Sequence, residues 1–123
     1  MKLPFFKKKS TLNFSENNSD YVQETILKRF ESGIVLPKES VAISYLFTCD
    51  SGRKGENFAA KLAEHGDTVY YCAIKKGIFQ INGKTEKLEA KEALIKEHLL
   101  EMADKGSKFN CVLTEWSITD DGE

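Results

Sequence analysis

Residues Ile43 to Tyr71, ISYLFTCDSGRKGENFAAKLAEHGDTVYY, spell out a strand, a helix and a second strand with a readable boundary between each. Val41, Ile43, Tyr45, Phe47 and Cys49 alternate with Ala42, Ser44, Leu46 and Thr48, the two-residue period of a pleated strand with one decidedly apolar face. Asp50, Ser51 and Gly52 end that strand, and either Asp50 or Ser51 can accept hydrogen bonds from the free amides that open a helix. Phe58, Ala59, Leu62 and Ala63 then fall on one side of the helix, and Gly66 closes it. From Thr68 to Ile74, β-branched and aromatic residues predict the second strand.

Downstream, Lys75, Lys76 and Gly77 predict a turn, with Ile78 to Ile81 as the returning arm of a hairpin. Asn82-Gly83 is a second strong turn signal, and the alternative is that it forms the tighter reversal, with Thr85 to Leu88 as an added short strand. Ala90 to Lys105 is built from good helix formers, with Leu94, Ile95, His98, Leu99 and Met102 along one stripe and Gly106 past the end. In the last segment, Lys108 to Thr119, Phe109, Cys111 and Leu113 alternate with Asn110, Val112, Thr114, Trp116 and Ile118, which predicts a final strand.

Upstream, Val22, Ile26 and Phe30 share a helical face over residues 20–33, Asp20 with Gln23 resembles a capping box, and Gly33 supplies a left-handed stop. Pro37 holds the residue before it extended, so IVLPKE reads as a linker and the main domain begins near Lys38. Residues 1–18 join a short apolar patch to Lys7, Lys8 and Lys9 and a polar run, a composition expected to form a mobile tail. Residues 19–123 then make one domain.

The totals bound the function classes. A chain of 123 residues supports one core, and 41% hydrophobic with 30% charged residues fits an ordinary globular domain. Eighteen basic against nineteen acidic residues leave no global field for phosphate backbones, so DNA is not an expected partner. Cys49, Cys72 and Cys111 are odd in number and contain no CxxC, which disfavours a disulfide framework and a zinc site. They read as buried, inert, reduced thiols. The start MKLPFFKKK is too short in apolar residues for a secretory signal, and no stretch is long enough to span a bilayer. A cytoplasmic protein without a stable membrane anchor is expected.

The order helix, then βαββαβ, predicts a ferredoxin-like plait, an α+β fold with a four-stranded antiparallel sheet and its two main helices on one face. The first and third strands are expected at the centre. The other face must be covered by the N-terminal helix, by a partner or second copy, or by water.

Few residues invite a chemical reading. Cys49 beside Asp50 at a helix N-terminus is where a thiol is activated, but His65 lies at the far end of that helix and His98 on an apolar stripe. SGRKGEN places glycines and two bases ahead of a helix without the full GxxxxGK[ST] pattern, so it reads as a capped turn. No catalytic residue, metal ligand set or cofactor is expected. Tyr70, Phe79 and Trp116 are candidates for a binding surface on the open sheet face, either as anchors for a protein or as stacking platforms for single-stranded RNA. Asp120 and Asp121, with Glu123, offer an acidic end to a basic partner.

With that order in place, residues 20–119 resemble the family of the regulator of ribonuclease E activity B, RraB. The resemblance rests on Tyr45, Phe47 and Asp50 around the first strand and on Phe58, Ala59, Leu62 and Gly66 of the following helix. It continues through Thr68, Val69 and Tyr70 of the second strand, Met102, Ala103 and Gly106 of the last helix, and the single tryptophan Trp116. It implies a cytoplasmic, non-enzymatic protein that binds an endoribonuclease of the ribonuclease E type and lowers its activity by contact. A single-stranded RNA-binding plait and a thiol-dependent protein are the alternatives.

Overall fold

The computed structural model describes residues 18–34, 36 and 40–120. Its elements are α1 (Asn18–Glu31), β1 (Ser40–Cys49), α2 (Gly52–Glu64), β2 (Thr68–Lys75), β3 (Ile78–Lys84), β4 (Leu88–Glu89), α3 (Glu92–Ser107) and β5 (Cys111–Asp120). The expected N-terminal tail falls almost wholly outside the described residues, as does Asp121.

β1 is the spine of the sheet. β5 runs antiparallel along one side of it from Val41 to Cys49, while β3 takes the other side opposite Ser44 to Cys49 and β4 takes it opposite Ser40 and Val41. β2 pairs antiparallel with β3, so β1 and β3 are interior and β2 is outermost on its side. The architecture is therefore α+β, a mostly antiparallel sheet with three helices. Between β3 and β4 the ladder is bridged by Thr85, whose backbone N–H donates to the Ile43 carbonyl at 2.9 Å and whose hydroxyl accepts the Ile43 N–H at 3.0 Å. That buried threonine keeps the amide of β1 satisfied where the pairing strand breaks.

The alternation in β1 translates directly into burial. Val41, Ile43, Tyr45, Phe47 and Cys49 all face the core, where Phe47 meets Tyr45 edge-on at 5.6 Å and Phe58 of α2 edge-on at 4.9 Å. Each large side chain buried in this way stabilises the fold by roughly 1.5–3 kcal/mol. Ser51 caps α2 by accepting the Lys54 amide at 3.2 Å. The buried row of α2 is Gly55, Phe58, Ala59 and Leu62; the expected Ala63 is exposed, because the helix turns its glycine rather than that alanine onto the sheet.

α1 starts at Asn18, so Asp20 lies inside the helix rather than at its cap. Val22, Ile26 and Phe30 are buried as a single row. Phe30 stacks on Trp116 at 5.8 Å, while the Arg29 guanidinium lies 3.8 Å from the indole centre and donates from Nη1 to the Trp116 carbonyl at 3.0 Å. Trp116 pairs with Tyr45, whose side chain is in the core. Directly opposed residues share a sheet face, so α1 sits on the same side as α2 and α3, and no helix among the described residues covers the other face.

Three local readings change. The hairpin turns at Lys76–Gly77 as expected, with Gly77 at φ +80°, but Asn82-Gly83 is no turn and lies inside β3. Gly83 is there because a Cβ would be built into the Tyr45 ring that crosses it. Gly106 belongs to α3, where it admits the Phe47 ring, and the left-handed residue after the helix is Asn110 at φ 58°. In β5, Leu46 opposes Glu115 and Phe47 opposes Leu113, leaving Thr114 as an extra residue in a β-bulge. The bulge inverts the side-chain alternation. Trp116 and Ile118 consequently face the same way as Cys111 and Leu113, against the simple period of the sequence.

Candidate functional site

The described molecule presents two surfaces that can receive another molecule: the helix-free sheet face and a groove between α2 and α3. On the sheet face, pairing places Tyr70, Asn82, Leu46 and Glu115 in one row across four strands. A neighbouring row holds Cys72, Gln80, Thr48 and Val112, and another holds Thr68, Lys84, Ser44 and Ser117. Tyr70 is 71% exposed and Ile74 of the same strand is 50% exposed, the most open large hydrophobic side chains among the described residues. Beside the bulge is a dent of about 210 Å³ with Ser44, Leu46, Asn82, Glu115 and Ser117 at its margin. Two hydroxyls of β5 are engaged internally: Thr114 donates to the Leu46 carbonyl at 3.0 Å and Thr119 to the Ala42 carbonyl at 3.2 Å. The centre of the face is therefore low in charge, with Thr48 and Val112 buried in it and Tyr70 its prominent exposed aromatic.

The candidate residues do not form a single cluster. Tyr70 alone projects from the bare face. Phe79 opposes Cys49 and stacks on Tyr71 at 5.9 Å on the helix side, and Trp116 is sandwiched between β5 and α1. An aromatic stacking platform of Tyr70, Phe79 and Trp116 is thus not assembled. Asp120 ends β5 opposite Val41, and Asp121 lies outside the described residues.

The groove was not legible as a site in the sequence. It encloses about 550 Å³, walled by Phe58, Leu62, Met102 and Phe109, with Lys61, Glu101 and Lys105 along its rim. At one end it meets His65, Asp67, Thr85, Glu86 and His98. Tyr45 reaches Asp67 from the core and donates to its Oδ2 at 2.5 Å. Burial raises the Asp67 carboxyl above the usual range, while the Tyr45 hydroxyl, His98 and His65 pull it back and Glu86 pushes it up. The Tyr45 phenol is raised by burial and by the carboxylate it serves, so it remains a donor. The signal available in advance was weak: His65 closes α2 and His98 lies one to two turns into α3, positions that meet only if the helices lie side by side.

The three cysteines separate into a pair and a singleton. Cys49 and Cys111 are buried with their sulfurs 2.7 Å apart, whereas Cys72 is exposed on the outer strand, contrary to a uniformly buried set. Among the described residues no group of three or more histidine, cysteine or acidic side chains could hold a metal ion. No helix among them is long and apolar enough to cross a membrane. The chain matches no protein-family model and no curated protein.

Proposed function

We propose that this chain is a ferredoxin-like plait that works as a non-enzymatic, cytoplasmic interaction module, docking its bare sheet face on a protein partner, an endoribonuclease of the ribonuclease E type. The observation that carries the reading is the placement of the three described helices on one side, so that no helix among the described residues covers the other face, where Tyr70 stands out. The sheet order, with β1 and β3 inside, supports the plait, and the RraB-like residue pattern supports the choice of partner. Interface anchors are typically aromatics beside a receptive depression, and Tyr70 shares its cross-strand row with the edge of the dent at Asn82 and Leu46. The three central rows of the face carry one lysine and one glutamate, Lys84 and Glu115, which suits a protein surface better than a phosphate backbone.

The test is binding of the purified protein to a purified ribonuclease E-type enzyme, alone and as Tyr70→Ala, with RNA cleavage followed in parallel. The reading expects complex formation and slowed cleavage by the parent, both weakened in the variant. Absence of a complex with the parent overturns the partner, and a complex indifferent to Tyr70→Ala overturns the face. Self-association removed by the same substitution assigns the face to a second copy, and retention of single-stranded RNA assigns it to nucleic acid.

A further inference from the structure

Cys49 ends β1 and Cys111 begins β5, and the two are directly opposed across that antiparallel pair. They are 62 residues apart in sequence and both essentially inaccessible to solvent. Opposed residues in antiparallel strands have Cα atoms roughly 4.5–5.5 Å apart, inside the roughly 4.4–6.8 Å span of a disulfide. The site is closely covered: a Cβ at Gly55 would lie 3.3 Å from the Cys49 sulfur and 3.1 Å from Tyr71, so a larger residue would need the thiol or the ring to give way by a few tenths of an ångström. Cys72 cannot take part, because its row lies on the other face, on the outer strand.

We propose that Cys49 and Cys111 form a reversible cross-strand disulfide, made by exchange with a low-molecular-weight disulfide, which ties the β1–α2 junction to the turn that delivers β5. One thiolate attacks the external disulfide, forming a mixed disulfide and releasing one small thiolate. The second protein thiol, after losing its proton, attacks the protein sulfur of that mixed disulfide and expels the second small thiolate. Two protein thiols are oxidised, one external disulfide is reduced, and the two protons pass to the released thiolates. In the closed molecule Cys111 is held protonated, since its hydrogen bond with Cys49 and its burial both raise the thiol, with Cys49 and Asp50 adding to it. Exchange therefore begins when this end of the sheet opens, and the nearby second thiol completes it without a second encounter. This proposal is independent of any partner on the sheet face.

The test uses Cys72→Ser protein equilibrated with defined mixtures of reduced and oxidised glutathione. Equilibrium is approached both from reduced protein and from protein refolded in the oxidising mixture. Samples are acid-quenched, alkylated under denaturing conditions and weighed intact. The expected product is one species lighter by two hydrogens, closed to alkylation until reduced, with a thermal midpoint higher by roughly 10 °C. Parent protein whose Cys72 is alkylated beforehand should behave in the same way. Two alkylations at every glutathione ratio, or two separate glutathione adducts, would overturn the proposal.

Discussion

Asp67 gives stability a pH dependence whose sign can be worked out. Its folded value is raised, chiefly by burial, so the folded state holds the proton more tightly than the unfolded chain does. Stability from this group is therefore greatest in acid and is lost as pH rises from the unfolded value through the folded one. Asp67→Asn removes that slope and still offers Tyr45 a carbonyl, so the variant's stability relative to the parent should grow as pH climbs through the carboxylate range. Urea melts across that range check it, and a difference that stays flat would remove the burial argument. A second residue-scale prediction concerns Gly83. Placing alanine there builds a methyl into the Tyr45 ring, and Gly83→Ala should cost about 1–3 kcal/mol in chemical denaturation. Residue chemistry is also where the sequence was least legible. Asn82-Gly83 has the composition of a turn, but the glycine answers a steric demand from a tyrosine on the neighbouring strand, and no local pattern encodes that.

The N-terminal helix illustrates how elements were read well while their destinations were not. Its buried row of Val22, Ile26 and Phe30 follows from spacing alone. Which side of the sheet it joins depends on Trp116, and Trp116 changes face because Thr114 is an extra residue in the ladder. A bulge has no signature in a period-two pattern, so simple alternation puts Trp116 on the face opposite Leu113. The contact makes a prediction: Arg29→Ala removes a cation from the indole and a hydrogen bond from its carbonyl. Stability should fall by about 1 kcal/mol, with a red shift in emission as the single tryptophan gains water. Unchanged emission would mean that α1 does not cover the ring. The same placement makes Trp116 a reporter of helix docking rather than of ligands on the opposite face.

For the whole molecule, the order of elements and the interior position of β1 and β3 were legible, because the alternation in Val41 to Cys49 and the helices beside it leave few ways to bury both. The groove between α2 and α3 was not, since its histidines and Asp67 come from segments that meet only in three dimensions. Docking through the bare face has two measurable consequences. Tyr70→Ser should change folding stability by less than about 0.5 kcal/mol, because the side chain is mostly in water, while weakening partner affinity about tenfold or more. Affinity should also respond weakly to added salt, given one lysine and one glutamate in the central rows; a steep decline would point to phosphate contacts instead.

The pairing of β1 with β5 also governs when this molecule can be finished. Cys49 waits for a residue 62 positions later before that edge of its strand is closed. At about 5–20 residues per second, a ribosome leaves the most apolar strand half-paired for roughly 3–12 s. Contacts this distant in sequence also slow the final search, since the intervening loop must be closed before any of them forms. The nascent chain therefore passes through a stage with an exposed β1 edge, the period in which a chaperone has most to protect.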